Sequence, residues 1–497
     1  MKNTQLRKYL FVVVILMTIV SMLVACAPAS QSTESVATKA QSTTAPEATT
    51  EVAAATTAPE ATTEVAAATT AATEEVVSSN SSSNQVVNVL LDSHPWQKAI
   101  EKHIQEFTDK TGIKVNITVV GEDAYWDRVS LGLSSDIPPF DVFMLSPNMT
   151  GYTGYTNNWI AQLDDYLNNS TLTPSSYNFN DIYPYISNGF RFPDSNGKLY
   201  GIPLTMETYM LFYRKDLFQE QNIDVSMLKN VDDWMAALDK IQAAYKDQGI
   251  SAAVIRGQDP SMPDELLAAV YDYWGNRSFL PQRMFYFDQN WVPQFTDPAV
   301  VNGFKLWAKL IDYGPVGSTS FSWNDAVRQF ADGKAATYWF DASVFGSIFE
   351  DPEQSSVVGK VGYSVVPPTA TGHGTTHWAW GLSIPEKAQN KDNAWKFIEW
   401  ATSPEIEMMT APSTYGPVRA STWASVSDKF GSEFASAVDQ SLKISVPGYM
   451  YFPGSGEIVD RIIDAVVKIS QGEDPEKTMQ TLNDQAADIV KQQGLSK

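Results

Sequence analysis

Apolar and polar positions alternate in a way that predicts strands and helices in turn from residue 86 onward. Val86 to Leu91 is a short apolar run, which is typical of a buried strand, and Trp96 to Phe107 repeats at helical spacing. Ile113 to Val119 alternates as a strand does, Glu122 to Leu133 fits a helix, and Phe140 to Leu145 fits a third strand. This order predicts an α/β fold built on a parallel sheet.

Polar loops follow each of these predicted strands. They are Asp92–Trp96, Gly121–Tyr125 and Ser146–Met149. Because ligands of open α/β sheets bind beyond the carboxyl ends of the strands, these loops are the first candidates for a binding site.

One later stretch, Tyr200 to Phe218, combines a break, an apolar run and a single carboxylate. Gly201, Pro203 and Thr205 predict a break at the surface, and the residues from Met206 onward predict a strand with Glu207 at its head. A charged residue at the entry to a buried strand is a natural ligand contact, but a solvated turn residue fits the local pattern as well.

The remaining chain has the same α/β texture, and its middle part, from Lys215 to about Val361, predicts a second lobe. The predicted helices are Trp234–Tyr245, Glu265–Trp274, Val300–Ile311, Phe321–Phe330, Asp392–Trp400, Glu457–Ser470 and Pro475–Gln492. The predicted strands are Ala252–Ile255, Ala335–Phe340, Val361–Val366 and Trp378–Ile384.

The N-terminus predicts export and anchoring. Residues 1–25 have a basic start and an apolar segment slightly short for a spanning helix, which is the layout of a signal peptide. Leu23 to Cys26 resembles a bacterial lipobox, in which the cysteine is lipidated and becomes the first residue. Cys26 is the only cysteine of the chain, so a disulfide within the chain is impossible. The alternative is an ordinary signal peptide with an incidental cysteine.

Residues 26–85 predict a disordered tether. They are rich in Ala, Thr, Ser, Glu and Pro, contain no aromatic residue, and repeat APEATTEVAAATT in tandem at 45–57 and 58–70. Such a unit has almost nothing to bury and cannot stack into a core. A coil of this length reaches ~40 Å on average, which would hold a folded domain away from a membrane.

Charge and composition exclude some functions. The 497-residue chain has a formal net charge of −22, which argues against a nucleic-acid partner. Hydrophobic residues at 43% and aromatic residues at 12% supply a sizeable core. No Gly-rich loop ending in Lys-Ser/Thr is present, so the sequence offers no site for ATP hydrolysis.

Five segments together resemble the large family of extracellular sugar-binding proteins of ABC importers, which includes maltose-binding proteins. In chain order they read FTDKTGIKVNI, FDVFML, YGIPLTMETYMLFYRKDLF, FSWNDAVRQFADGKAATYWFDASVFGSIFEDP and HWAWGLSIPEKAQNKDNAWKFIEWATSPE. Their order and spacing carry the resemblance, which is nearest to the branch for polyols and monosaccharides.

The resemblance implies a two-lobe, periplasmic-binding-protein-like fold of type II that closes on its ligand. Lobe 1 is expected to comprise 86–205 and 367–410, and lobe 2 to comprise 206–366 and 411–497. Crossings are expected near Ile202–Met206, Val366–Pro368 and Thr410–Gly416. The expected protein is a monomer without a cofactor or enzymatic activity, held outside the cell membrane by Cys26 or located in the periplasm, and it delivers a sugar or polyol to an ABC permease.

Sugars have polar rims and apolar C–H faces, so aromatic rings and carboxylate or amide groups are the side chains expected to bind them. The resemblance, together with the position of each residue beside a polar loop, selects ten candidates. They are Trp96, Glu122, Asn148, Glu207, Trp323, Asn324, Asp341, Trp378, Trp380 and Arg419. A surface ion pair is the alternative for Arg419.

Three other functions remain open from the residues alone. A surface-anchored glycosidase needs two carboxylates across a cleft, and Glu207 with Asp341 could supply them. His373 and His377 have a spacing compatible with zinc, although they lie in a Gly-flanked loop with no third ligand nearby. A carbohydrate-binding adhesion module is the third alternative.

Overall fold

The computed structural model describes residues 85–275, 286–288, 290–448, 452 and 454–496. The predicted signal peptide, Cys26 and the predicted tether up to residue 84 lie outside the described residues. The described chain forms an α/β fold with mixed sheets surrounded by helices. None of the described helices is both long and apolar enough to cross a membrane.

The strands are given in chain order. They are β1 Val86–Asp92, β2 Lys114–Val120, β3 Val142–Leu145, β4 Arg191–Phe192, β5 Lys198–Leu199, β6 Ile202–Arg214, β7 Thr337–Ala342, β8 Val361–Ser364, β9 Thr375–Ser383 and β10 Ser445–Pro447.

The α-helices of the first half are α1 Pro95–Ile100, α2 Ile104–Thr111, α3 Glu122–Ser134, α4 Tyr152–Thr156, α5 Asp164–Leu167, α6 Pro184–Ser187, α7 Lys215–Glu220 and α8 Val231–Tyr245. Those of the second half are α9 Met262–Trp274, α10 Pro298–Asp312, α11 Trp323–Ala331, α12 Gly346–Phe349, α13 Lys391–Ala401, α14 Pro404–Thr414, α15 Ala420–Val426, α16 Ser432–Ile444, α17 Ser455–Ser470 and α18 Pro475–Gln492.

The first three strands form the predicted parallel unit. β1 lies between β2 and β3 and pairs with both in parallel. The hydroxyl of Tyr125 on α3 donates to the carbonyls of Leu90 in β1 and Met144 in β3, at 3.3 and 2.8 Å, which ties the helix to the sheet. Every residue of β3 is buried, as is usual for the strands of parallel sheets.

Beyond β3 the sheet is mixed, whereas the sequence predicted only a parallel sheet. The strand order is β2-β1-β3-β9-β6-β7, with β10 beside β9 and β8 beside β6. β9 is antiparallel to β3 and β6, and β6 is antiparallel to β7 and β8.

Strand β6 differs most from its prediction. The expected surface break at Gly201, Pro203 and Thr205 is wrong, because all three residues are buried and β6 already begins at Ile202. The first half of β6 pairs with β9, and its second half pairs with β7 and β8. Glu207 therefore lies in the middle of a long strand and not at its head.

Two further local predictions need correction. Trp96 was expected in a loop, but it lies in α1, which begins at Pro95 after the N-cap His94. The predicted strand Ala252–Ile255 is reduced to isolated bridges, in which Ser251 pairs with Ala335 and Val254 with Tyr338. The apolar residues of that segment are nevertheless fully buried, which is why the pattern resembled a strand.

Candidate functional site

A cleft opens beyond the carboxyl end of β1. It encloses about 440 Å³ of empty space, counted out to its opening into solvent, and is lined by the loop from Asp92 to Pro95 and by the start of α3. Strands β6 and β9 form another wall, and α9, α11 and the segment after β7 complete the lining.

The register between β6 and β9 positions three of the predicted residues. Glu207 is the cross-strand partner of Trp378, and Thr205 is the partner of Trp380. Because residues two apart in a strand share one face, both indoles are on the same side of β9, where they line the cleft with Glu207. Trp126 of α3 stacks on Trp380 with 5.2 Å between ring centroids and 7° between planes, so the wall is held rigidly.

The tautomer of His94 follows from its two hydrogen bonds. The backbone N–H of Trp96 donates to Nδ1 of His94 at 3.0 Å, so Nδ1 carries no proton. Nε2 therefore carries the proton of the neutral ring and donates to Oε1 of Glu207 at 2.9 Å. This bond fixes one oxygen of Glu207 and leaves the ring without a formal charge.

Arg256 is buried and surrounded by hydrogen-bond acceptors. Its Nε and Nη2 donate to Asp341 at 2.9 and 2.6 Å, and its Nη1 lies 3.0 Å from Oε1 of Glu265 and 2.6 Å from Oγ of Ser261. Arg256, Ser261 and Glu265 line the cleft, and all are at least 94% buried. The bidentate pair with Asp341 fixes the direction of the guanidinium.

Trp323 supplies an aromatic surface from the other side. It is the first residue of α11, and its backbone N–H donates to Oδ2 of Asp259 at 2.7 Å. Its ring stacks on Phe345 with centroids 5.4 Å apart and planes 11° apart. The same helix begins with a capping box formed by Ser322 and Asp325, which fixes the position of Trp323.

Two carboxyl groups of the lining have raised pKa values, which favour their neutral form. Burial, followed by the nearby charges of Asp92 and Asp259, raises the pKa of Glu122 well above its ordinary value. Burial also raises the pKa of Glu265, although Arg256 acts in the opposite direction. These carboxyls can therefore donate as well as accept hydrogen bonds.

A buried hydrogen-bond chain joins the cleft to the loop after β3. The hydroxyl of Tyr209, which lines the cleft, donates to Oδ2 of Asp264 at 3.1 Å. The amide of Asn148 donates to the same oxygen at 3.3 Å. Burial raises the pKa of Tyr209, so its hydroxyl keeps the proton that it donates.

This chain matches a known protein family. The family model for bacterial extracellular solute-binding proteins aligns with residues 92–408, which contain all of the residues that line the cleft. The chain belongs to this family.

Two relatives of this solute-binding protein are named for the polyols that they bind. The erythritol/L-threitol-binding protein of Mycolicibacterium smegmatis is 26% identical over 338 residues, 65% of this chain and 68% of the relative. The mannitol-binding protein of Pseudomonas aeruginosa is 29% identical over 297 residues, 59% of this chain and 62% of the relative. The aligned region thus spans about two thirds of each relative.

The fold agrees with solved structures of the same kind. An ABC transporter solute-binding protein of Agrobacterium vitis S4 with bound D-mannitol has a TM-score of 0.70 and 23% identity, covering 82% of this chain and 99% of that one. One from Agrobacterium radiobacter K84 in complex with ribitol has a TM-score of 0.67 and 20% identity, covering 81% of this chain and 98% of that one. The two-lobe α/β fold predicted from the sequence is confirmed.

The cleft of this solute-binding protein brings together half of the ten predicted site residues. They are Glu122, Glu207, Trp323, Trp378 and Trp380. Asn324 lines a wider outer groove, which shares Ser93, Pro95, Glu122 and Trp323 with the cleft. Asn148 and Asp341 do not line the cleft but hold residues that do, namely Tyr209 through Asp264 and Arg256 directly.

Trp96 and Arg419 lie away from the lining. The indole of Trp96 is 99% buried in the core, and the residue acts on the site through its backbone N–H. Arg419 is fully buried, so neither a cleft-edge position nor a surface ion pair is correct. Its Nε lies 3.4 Å from Oε2 of Glu407, and its guanidinium donates to the carbonyls of Asn178 and Thr402.

Outside the predicted Asp92–Trp96 loop, six lining residues were not predicted: Tyr209, Arg256, Ser261, Glu265, Val344 and Phe345. A signal existed for Arg256, because it follows the apolar run Ala252–Ile255, and a charged residue at the end of such a run needs a partner. Glu265 gave no such signal, since the first turn of a helix often carries an acidic residue without any ligand.

The two histidines considered for zinc have other partners. Nε2 of His373 donates to the carbonyl of Val366 at 2.8 Å, and Nδ1 of His377 lies 2.9 Å from Oγ of Ser445. Burial lowers the pKa of His377 to about 4. Within the described part of the chain, no group of three or more potential metal ligands is present.

Proposed function

We propose that this protein is the substrate-binding component of an ABC importer and that it captures a sugar or polyol in the cleft. The observation that carries the proposal is the pairing of Glu207, oriented by His94, with the indole of its cross-strand neighbour Trp378. A carboxylate beside an aromatic face matches a molecule that has hydroxyl rims and C–H faces. The polyols for which the relatives are named, erythritol, L-threitol and mannitol, support this class of ligand.

The proposed contacts divide by chemistry. Trp323, Trp378 and Trp380 pack against C–H groups, and Glu207 accepts hydrogen bonds from hydroxyls with its second oxygen. Glu122 and Glu265, whose raised pKa values favour the protonated form, donate to hydroxyl oxygens. Arg256 has one N–H left for the ligand, on Nη2, because its other four are directed to Asp341, Ser261 and Glu265.

We propose that lobe 1 comprises 86–205 and 367–410 and that lobe 2 comprises 206–366 and 411–497, with β6 as the main crossing. The change of partners along β6, from β9 to β7 and β8, supports this division. The crossing segments are in contact, since Met206 N–H and Thr205 Oγ1 both donate to the carbonyl of Gly416 at 2.9 Å. Hinge closure needs such shared segments between rigid parts.

The cellular setting is also a proposal. A lipidated Cys26 and the 26–85 tether would hold a monomeric binding domain at the outer face of the membrane and present it to a permease. Membership in the family of extracellular solute-binding proteins supports this location. The structural neighbours are solute-binding proteins of ABC transporters, which supports a role in an ABC importer. Two acyl chains on Cys26 would be enough for stable anchoring.

The glycosidase alternative loses its carboxylate pair. Asp341 is fully buried, bound to Arg256, and absent from the lining of the cleft, so it cannot face Glu207 across a substrate. The family match is to binding proteins.

The test is a thermal-shift panel of sugars and polyols with the purified protein, in which free products are quantified in the same samples. A ligand bound only by the folded state raises the unfolding temperature as its concentration rises. We expect stabilisation by at least one polyol or monosaccharide without turnover. Turnover would support the hydrolase, and no response to any small solute would support an adhesion module.

A further inference from the structure

The cleft has an excess of acidic groups. Among the lining residues that the structure describes, four carry carboxyl groups, namely Asp92, Glu122, Glu207 and Glu265. Arg256 is the only Lys or Arg among them, and its charge is already matched by the bidentate bond to Asp341. His94 adds no cation because its Nδ1 accepts the N–H of Trp96.

One acidic oxygen in this wall has no hydrogen-bond partner. Oε1 of Glu265 lies 3.0 Å from Nη1 of Arg256, whereas Oε2 is buried and unpaired among the described residues. Glu265 is 98% buried, so this oxygen is shielded from bulk solvent. A buried polar atom without a partner on a residue that lines a cleft indicates a group supplied by a ligand.

The aromatic part of the lining suits a cation as well as a C–H face. Trp323, Trp378 and Trp380 line the same cleft as the acidic groups. Indole is the aromatic side chain that attracts cations most strongly, and the attraction grows when water is excluded. Carboxylates beside indoles therefore form a site in which an ammonium group is stabilised both by ion pairs and by cation–π contacts.

The shifted pKa values of two lining carboxyl groups agree with a cationic ligand. Burial and the charges of Asp92 and Asp259 raise the pKa of Glu122, and burial raises the pKa of Glu265. A bound cation would favour the charged form of both carboxyl groups, so an ammonium group that binds there would displace their protons.

We propose that the preferred ligand is a polyhydroxylated amine, an amino sugar or amino alditol, whose ammonium group is bound by the cleft carboxylates while its hydroxyls take the contacts of a polyol. This rests on the proposed function and narrows its substrate class. The same charge excess excludes sugar acids, because an added carboxylate would have to enter an acidic, poorly hydrated site.

The test is calorimetric titration of the full chain with three ligands that differ only at one terminal carbon. They are mannitol, 1-amino-1-deoxymannitol and mannonate, with the corresponding sorbitol series as a stereochemical control. We expect the amine to bind at least tenfold more tightly than its neutral parent and the acid not to bind. Glu265→Gln and Glu122→Gln should each reduce the preference for the amine several-fold and leave mannitol binding measurable.

Glu476→Gln is the matched control, because Glu476 is largely exposed and pairs with Lys305 away from the cleft. It should leave the preference unchanged, and thermal unfolding should show that all variants are folded. Equal affinity for amine and neutral parent in the wild type would overturn this inference alone, as would a preference that survives both cleft variants. Failure of every sugar, polyol and amine to bind would overturn the proposed function together with it.

Discussion

At the scale of single residues, the cleft depends on side chains whose positions are fixed by partners outside it. Glu207 is held by His94, and Arg256 is held by Asp341. Such second partners orient a binding group before the ligand arrives, which lowers the entropy lost on binding. Substitutions of the lining and of its supports should therefore both weaken binding, but only the former remove a direct contact.

Glu207→Ala removes a hydrogen-bond acceptor for the ligand and leaves Nε2–H of His94 without its partner. Because a hydrogen bond to a charged group contributes about 1.5–3 kcal/mol, we expect affinity for the best sugar or polyol to fall about 10- to 100-fold. Calorimetry measures the change, and Glu476→Ala at the exposed Lys305 pair is the control. Wild-type affinity in Glu207→Ala would show that the carboxylate does not contact the ligand.

Sequence reasoning identified the aromatic and acidic side chains of the cleft better than their supports. Trp378 and Trp380 could be predicted because they follow a polar stretch and match cleft positions of the family that the sequence resembles. Tyr209 could not, because in sequence it is one aromatic residue in an apolar run, and only the fold places its hydroxyl near Asp264. Arg419 was misplaced because a charged residue in a loop is normally exposed, whereas here carbonyls and Glu407 surround it.

At the scale of elements, strand β6 and the end of α9 fix the segments around the proposed crossings between the lobes. The carboxyl of Asp272 in α9 accepts the N–H of Gly374 at 3.1 Å, and its backbone carbonyl accepts Oγ1 of Thr369 at 2.9 Å. These bonds fix the loop that leads into β9 and hence the position of Trp378.

The carboxyl of Asp272 gives a specific dependence of stability on pH. Burial raises its pKa from 3.8 to about 8, so the folded protein binds this proton more tightly than the unfolded chain does. Its stabilising contribution is complete below pH ~4 and is lost as pH rises toward 8, at about 1.4 kcal/mol per pH unit. Urea unfolding at several pH values should show this loss relative to Asp272→Asn. Parallel pH profiles for the two proteins would contradict the assignment.

Gly416 is needed where the crossing segments meet. A Cβ atom there would lie 1.9 Å from the carbonyl oxygen of Met206 in β6, so Gly416→Ala must displace backbone and should destabilise the protein by about 1–3 kcal/mol. Gly456→Ala is the control, because it lies in α17 with no atom within 4 Å of the added Cβ. There, higher helix propensity should stabilise slightly. Equal effects of the two substitutions on chemical unfolding would refute the close approach.

Helices with strong periodicity were predictable, and the start of strand β6 was not. The last helix, Pro475–Gln492, was predicted at both ends because Asp474 caps it and Pro475 begins it. The break predicted near Gly201–Thr205 failed because Gly and Pro usually interrupt a strand. In β6 a register shift between Pro203 and Thr205 accommodates Pro203 while the strand continues.

At the scale of the whole molecule, the proposed function requires a binding domain outside the cell and a link to the membrane. The strongly acidic balance, with a net charge of −22, agrees with a soluble domain that does not adhere to anionic lipid headgroups. The link then depends on the proposed lipid at Cys26.

Cys26→Ser should release the protein from the membrane, because an acylated cysteine is the proposed anchor and the apolar leader would be cleaved off. Fractionation of expressing cells with detergent phase partitioning measures the distribution. Thr56→Ala within the predicted tether is the control and should remain with the membrane. An unchanged distribution of Cys26→Ser would rule out the lipid anchor.

The most direct test of the binding cleft is calorimetric titration of mannitol into the wild type and into Trp378→Ala. If the indole opposite Glu207 packs against the ligand, the wild type will show saturable binding at one site without product formation. Trp378→Ala, while still folded, will bind at least tenfold more weakly. Equal affinities in the two proteins, or a wild type that neither mannitol nor any other polyol or sugar saturates, would contradict the account.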